Sequence, residues 1–126
     1  MPLNSRAKGA AGERELVDEL NRLGLMARRT VQYCGKSGDA ADIVIDGCQL
    51  HVEVKRVERV RLAEWLEQAS RDAHGRQWSL FWRRSRGEWM VVMPLSQWVD
   101  DSAVASKARA HVRGLRDEAI RTQASV

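Results

Sequence analysis

A chain of 126 residues that is 44% hydrophobic and 30% charged has the balance of a globular domain and room for one packed core. Lysine and arginine outnumber aspartate and glutamate by 21 to 17, with arginine dominant, and this surplus favours a polyanionic partner such as nucleic acid. No apolar run nears the roughly 20 residues of a membrane span, no signal-peptide core opens the chain, and Cys34 and Cys48 form no paired spacing. The expectation is therefore one reduced, cytoplasmic domain over 1–126, without membrane contact, disulfide framework or structural zinc.

Residues 1–8 are polar and basic and read as a mobile arm. Gly9 to Gly12 is a lead-in of small residues, and a helix then runs to about Leu23 on a stripe of Leu16, Val17, Leu20 and Leu23, with Gly24 as its stop. Glu13 heads the face of that stripe. A carboxylate there is either a first-turn acid favoured by the helix dipole or a buried charge with a task. Leu25 to Tyr33 reads as a first strand, leading into the glycine-rich loop Cys34–Gly38. Its Gly-Lys-Ser is not a nucleotide loop, because the motif needs a glycine where Thr30 stands.

Asp39 to Arg56 (D-A-A-D-I-V-I-D-G-C-Q-L-H-V-E-V-K-R) reads as a β-hairpin. Asp46-Gly47 suits a type I′ turn, which needs positive φ at both central positions. That register pairs Ile45 with Cys48, Ile43 with Leu50 and Asp42 with His51. One face then carries Ile43, Ile45, Cys48, Leu50, Val52 and Val54, and the other carries Asp42, Val44, Gln49, His51, Glu53 and Lys55. Asp42 falls diagonal to Glu53, roughly 7–8 Å away before the side chains converge. The plain alternative is a hairpin with one wetted face.

A second helix is expected from about Arg61 to Ala73, on Leu62, Trp65, Leu66, Ala69 and Ala73, with Gln68 flanking the stripe and Gly75 ending it. Strands follow at Gln77–Arg83 and Glu88–Met93, separated by a basic turn and closed by Pro94. Trp78, Trp82 and Trp89 read most simply as sheet-packing aromatics. Ser96 or Ser102 could cap a last helix over about Val104–Ile120, in a C-terminal helical extension spanning 96–126. Its basic residues form a solvated face, a dimer contact or a phosphate contact. The order α-β-β-β-α-β-β-α gives an α/β fold with a central mixed sheet flanked by helices.

Glu13, Asp42, Glu53 and Lys55 make a chemical set. Hard carboxylate oxygens suit Mg²⁺, with Mn²⁺ as a substitute, and Asp42 and Glu53 would be the main ligands, with Glu13 binding directly or through water. Such an ion would lower the pKa of a bound water and neutralise charge on a scissile phosphate, while Lys55 would orient the attacking water. The reaction this set suits is in-line hydrolysis of a phosphodiester.

The ordered segments K-G-A-A-G-E-R-E-L (Lys8 to Leu16), D-I-V-I (Asp42 to Ile45) and V-E-V-K (Val52 to Lys55) resemble the PD-(D/E)xK nuclease superfamily. Within it the chain is most similar to archaeal-type Holliday junction resolvases and their phage and bacterial relatives, over about residues 5 to 95. The resemblance implies a restriction-endonuclease-like fold. It also implies a Mg²⁺-dependent homodimer in a bacterial, archaeal or phage-infected cell that makes paired nicks in a four-way DNA junction. Carried over, Glu13, Asp42 and Glu53 match the metal-binding acids and Lys55 the catalytic lysine. Arg14 matches an arginine beside the helix acid, and Arg29, preferred to Arg28, matches a first-strand arginine. Ser37 sits in a comparable loop, and Lys36 and Arg56 complete the expected DNA contacts. Two departures stand out: the loop before Asp42 is longer, and Trp65, Gln68 and Ala69 occupy positions where aromatics are expected. Asp39 is a rival to Asp42, which is preferred because it abuts the apolar strand and satisfies the hairpin register. A nuclease with another DNA-processing role, or a non-catalytic DNA-binding module on the same fold, are the alternatives.

Overall fold

A computed structural model describes residues 5–31 and 41–125. The chain divides into two compact units, Met1–Met93 and Pro94–Val126. In the first, the element order is α1 (Ser5–Arg22), β1 (Ala27–Val31), β2 (Ala41–Ile45), β3 (Leu50–Arg56), α2 (Leu62–Asp72), β4 (Gln77–Arg83) and β5 (Met90–Val92). The second holds α3 (Leu95–Asp101) and α4 (Ala103–Ala124).

Helix α1 takes in the small-residue lead-in, because alanine is the strongest helix former and offsets the two glycines beside it. It stops where the sequence says it should. Gly24 adopts φ +99°, and the amides of Gly24 and Leu25 donate to the carbonyls of Asn21 and Leu20. This is the Schellman pattern, in which a left-handed glycine lets the chain turn back on the last helical carbonyls. The Asn21 side chain then holds the start of β1, donating to the Ala27 carbonyl at 3.1 Å and accepting from its amide at 2.7 Å.

The strands do not pair as a 39–56 hairpin. β2 runs antiparallel to β1, with Thr30 opposite Asp42 and Arg29 opposite Ile43. β3 runs parallel to β4, and β4 antiparallel to β5, giving a mixed three-stranded sheet. The Asp-Gly turn has the geometry that goes with this pairing. The Cys48 amide does donate to the Ile45 carbonyl, but only Gly47 has positive φ, at +89°. That is the type II pattern and not type I′, and its twist splays the flanking strands. β2 and β3 are thus joined by a tight turn yet find their ladder partners elsewhere.

The alternation of side chains survives this change of partner. Ile43, Ile45 and Val52 are buried with Leu16 and Leu20 of α1, Ala27 and Phe81, and Val17, Leu50, Val54 and Trp89 pack around them. Cys48, placed with this face by the hairpin register, is exposed. Even-numbered residues of β3 therefore face α1, and odd-numbered ones face the opposite side, where α2 lies across β3 and β4. Trp65 of α2 is buried there, with its ring 6.5 Å from that of Trp82. The parallel β3–α2–β4 crossover and the helix on each face are what a restriction-endonuclease-like α/β fold requires.

The Arg56 guanidinium donates to Glu15 at 3.0 Å, and Arg83 donates to the same oxygen at 3.2 Å, tying α1, β3 and β4 together. Glu58 accepts from the Ser85 hydroxyl and backbone amide, which hold its carboxyl below the ordinary carboxylate value.

In the second unit, α3 packs on α4, Gln97 and Ala105 are buried, and Ser102 caps α4 by accepting from the Ala105 amide at 2.9 Å. Helix α3 is an addition to the expected element order. At seven residues it is too short to show a helical period, and it starts directly after Pro94. Gly114 lies within α4, and a Cβ there would meet nothing within 4 Å. Gly114→Ala should therefore stabilise α4 by about 0.8–1 kcal/mol, read as a raised denaturation midpoint of the helical signal in circular dichroism.

Candidate active site

Strand β3 supplies the centre of the site. His51, Glu53 and Lys55 project from its odd-numbered face, two residues apart, toward α2. The two carboxylate oxygens of Glu53 have different neighbours. Oε1 lies 3.5 Å from Lys55 Nζ, and Oε2 lies 3.2 Å from His51 Nε2. All three side chains are mostly shielded, with the Glu53 carboxylate 14% exposed and Lys55 21%. Lys55 Nζ also donates to Gln68 Oε1 of α2 at 3.0 Å.

Helix α2 adds a fourth group. One ligand atom each from His51, Glu53 and Asp72 lie within 4.8 Å of one another, and among the described residues this is the group that could hold a metal ion. Gln68 and Asp72 are four apart and share one helix edge. Four helical residues rise about 6 Å, close to the ~6.6 Å of two strand residues, so the two elements stay in step. Gln68 thus meets Lys55 while Asp72 meets His51 and Glu53.

Asp42 sits beside this group. It lines a cleft of about 340 Å³ with Thr30, Cys48, Gln49, His51 and Arg76. Its backbone carbonyl accepts from the Thr30 hydroxyl at 3.2 Å. Glu13 arrives from α1, on the opposite face of β3, and its carboxylate accepts from Arg29 Nε at 2.8 Å. The charge at the head of the apolar stripe is therefore paired.

The structure brings Glu53 and Lys55 together, sets Asp42 in an adjoining cleft and joins Glu13 to Arg29. Arg14 is exposed on α1. Arg56 is engaged by Glu15 and reaches Ser85 at 3.3 Å. Lys36, Ser37 and Asp39 lie outside the described residues. Sequence reasoning did not reach Asp72, nor a role for Gln68. The i, i+4 spacing of these two polar residues along the edge of an apolar stripe was the available signal. His51 was visible on the same face as Glu53 and Lys55 but was not counted among the candidate ligands.

The family model described as "Phage putative PDDEXK endonuclease" matches residues 4–123. The chain belongs to this family of nucleases. It is a DNA-acting endonuclease of the PD-(D/E)xK superfamily, and V-E-V-K on β3 has the acid-x-lysine spacing of the family's name. No curated protein matches the chain. A solved structure from Archaeoglobus fulgidus, "Hjc, a Holliday junction resolvase from an archaeal hyperthermophile", is similar at 25% identity and a TM-score of 0.48, over 68% of this chain and 72% of that one. PDDEXK nucleases work with divalent metal ions, and His51, Glu53 and Asp72 form a group that could hold one. Among the described residues no helix is long and apolar enough to cross a membrane.

Proposed function

We propose that the nuclease is a Mg²⁺-dependent, structure-specific endonuclease that nicks four-way DNA junctions by in-line phosphodiester hydrolysis, acting as a homodimer. The observation that carries this reading is the Glu53–Lys55 pair, held on one strand face and steadied from α2 by Gln68. The residues form one nuclease domain on this reading, with the C-terminal helices as its extension and the cytoplasm as its place of action.

Glu53 and Asp42 would hold the divalent ion, with Glu13, paired with Arg29, linked to it through water. When bound, the ion supplies charge neutralisation on the phosphate and an acidified water. Lys55 does work that needs no ion. Its ammonium has three N–H donors; one is given to Gln68 at 3.0 Å, and the Glu53 carboxylate stands 3.5 Å away as an ion pair. A remaining donor would hold the attacking water or a non-bridging phosphate oxygen, where a fixed positive charge offsets the charge that develops in the transition state. Gln68 fixes the direction of that ammonium. Arg14, Lys36 and Ser37 would contact the DNA backbone, and Arg29 would position Glu13. Arg56 would contribute its charge from within the Glu15 network.

The junction preference is supported by the order G-E-R-E, D-I-V-I and V-E-V-K, which is more specific than an isolated acid–lysine motif. A second reading is the same chemistry used in another DNA-processing role, such as phage DNA degradation, repair or restriction. The phage assignment of the family favours it.

The test incubates purified protein with four-way junctions, linear duplex and single strands, in Mg²⁺ or Ca²⁺. Symmetric nicks confined to junctions in Mg²⁺ are the expected result, and equal cutting of linear duplex selects the second reading. Binding without cutting under every metal would identify a non-catalytic module. Raising salt should weaken junction binding steeply, because phosphate contacts release condensed counterions, and a flat response would exclude a polyanionic substrate.

A further inference from the structure

We propose that His51 and Asp72 join Glu53 in holding the divalent ion, so that the site is a mixed imidazole–carboxylate centre that binds Mn²⁺ more tightly than the Mg²⁺ that also supports cleavage. The inference rests on the reading of Glu53 as a metal acid and goes beyond it by naming two further ligands and the class of ion they select.

Geometry carries it. An octahedral ion about 2.1 Å from its donors sets neighbouring donors ~3 Å apart. His51 Nε2 and Glu53 Oε2 are already 3.2 Å apart. The third donor, on Asp72, is within 4.8 Å of both, close enough for a small rotamer adjustment to complete one face of a coordination shell. Glu53 is suited to this, because Oε1 is the oxygen near Lys55, at 3.5 Å, and Oε2 is the one near the imidazole.

The position of Asp72 is a second, separate argument. It is the last residue of α2, where the helix dipole disfavours a carboxylate. No lysine or arginine pairs with it among the described residues. A cation held between Asp72 and Glu53 would offset that cost and draw the end of α2 onto β3. Donor chemistry then decides which cation. Magnesium takes oxygen ligands and keeps its waters, whereas imidazole suits first-row transition ions. Replacing one oxygen by a ring nitrogen therefore moves preference toward Mn²⁺.

The experiment titrates the intact protein with Mn²⁺ followed by electron paramagnetic resonance, with Mg²⁺ as competitor, and records electron spin echo modulation from the bound ion. Nitrogen-14 modulation from a directly bound imidazole is expected. It should vanish in His51→Ala and in His51→Gln, and both variants should lose about ten-fold or more in Mn²⁺ affinity while Mg²⁺ affinity changes little. Asp72→Asn should weaken Mn²⁺ about ten-fold and keep the nitrogen signal. The two His51 variants and the α2 variant lie on different elements, and circular dichroism checks that each is folded. Mn²⁺ bound without nitrogen modulation, or with modulation that persists in both His51 variants, overturns the inference and leaves Glu53 as a metal acid. Absence of any bound Mn²⁺ in the wild-type protein overturns both.

Discussion

Glu53→Gln should leave a protein that folds and binds junction DNA but has lost cleavage by about three orders of magnitude or more. The substitution keeps the shape of the side chain and leaves an amide oxygen able to accept from Lys55 or from His51. What it removes is the charge. Polarisation by a metal ion contributes several kcal/mol to the transition state, and each 1.36 kcal/mol is a factor of ten in rate, so loss of the ion's anchor costs about 10³. Binding survives because backbone phosphate contacts are made elsewhere, by basic groups that this change does not touch. Lys55→Met makes the complementary case. It leaves the acid in place, so bound Mn²⁺ should persist or strengthen, while cleavage falls by about 10²–10³ through loss of a charge aimed at the transition state. Gel-shift assays and single-turnover cleavage, measured side by side, separate the two effects. Cleavage retained in Glu53→Gln would refute the metal assignment at this residue.

How far the sequence could be read follows from which contacts are local. Strand β4 falls on the expected residues and α2 within one, because a two-residue period and an apolar stripe at helical spacing are written into consecutive positions. The same alternation placed Glu53 and Lys55 on one face and Val52 and Val54 on the other, and it did so even though the pairing partner was misassigned. The 39–56 hairpin failed at one dihedral. Asp-Gly is compatible with both type I′ and type II turns, and the choice is made by the partners that β2 and β3 find in β1 and β4, which no short window contains. Asp72 was out of reach for the same reason. Its approach to His51 depends on how α2, the crossover helix, lies over β3, a contact about twenty residues apart in the chain that no local period records. Glu13 marks the middle ground: its place on the apolar face was legible, and its partner Arg29, sixteen residues on, was not.

Gly12 turns one of the motif's small residues into a quantitative test. A Cβ at this position would stand 2.7 Å from Arg56 Cβ, closer than side chains tolerate. Neither side gives way easily. Arg56 Cβ is fixed to a strand paired with Arg83, and its guanidinium is held by Glu15 of α1 itself. Gly12→Ala gains about 0.8–1 kcal/mol in helix propensity and meets an overpacking cost of about 1–3 kcal/mol, so the net is a loss of roughly 1 kcal/mol. Gly9 is the control on the same helix, because a Cβ there meets nothing within 4 Å. Gly9→Ala should gain the full propensity term, and the two variants should differ in stability by about 2 kcal/mol in urea denaturation. The functional effect follows from the neighbour. Pushing α1 off β3 at Gly12 carries Glu13 with it, and a displacement of about 1 Å in catalytic geometry can cost 10² in rate. Cleavage should thus fall about a hundred-fold in Gly12→Ala and stay at the wild-type level in Gly9→Ala. Equal stability in the two variants would mean that α1 does not rest its glycine on β3, and the reason for a small residue directly before Glu13 would have to be sought in the DNA instead.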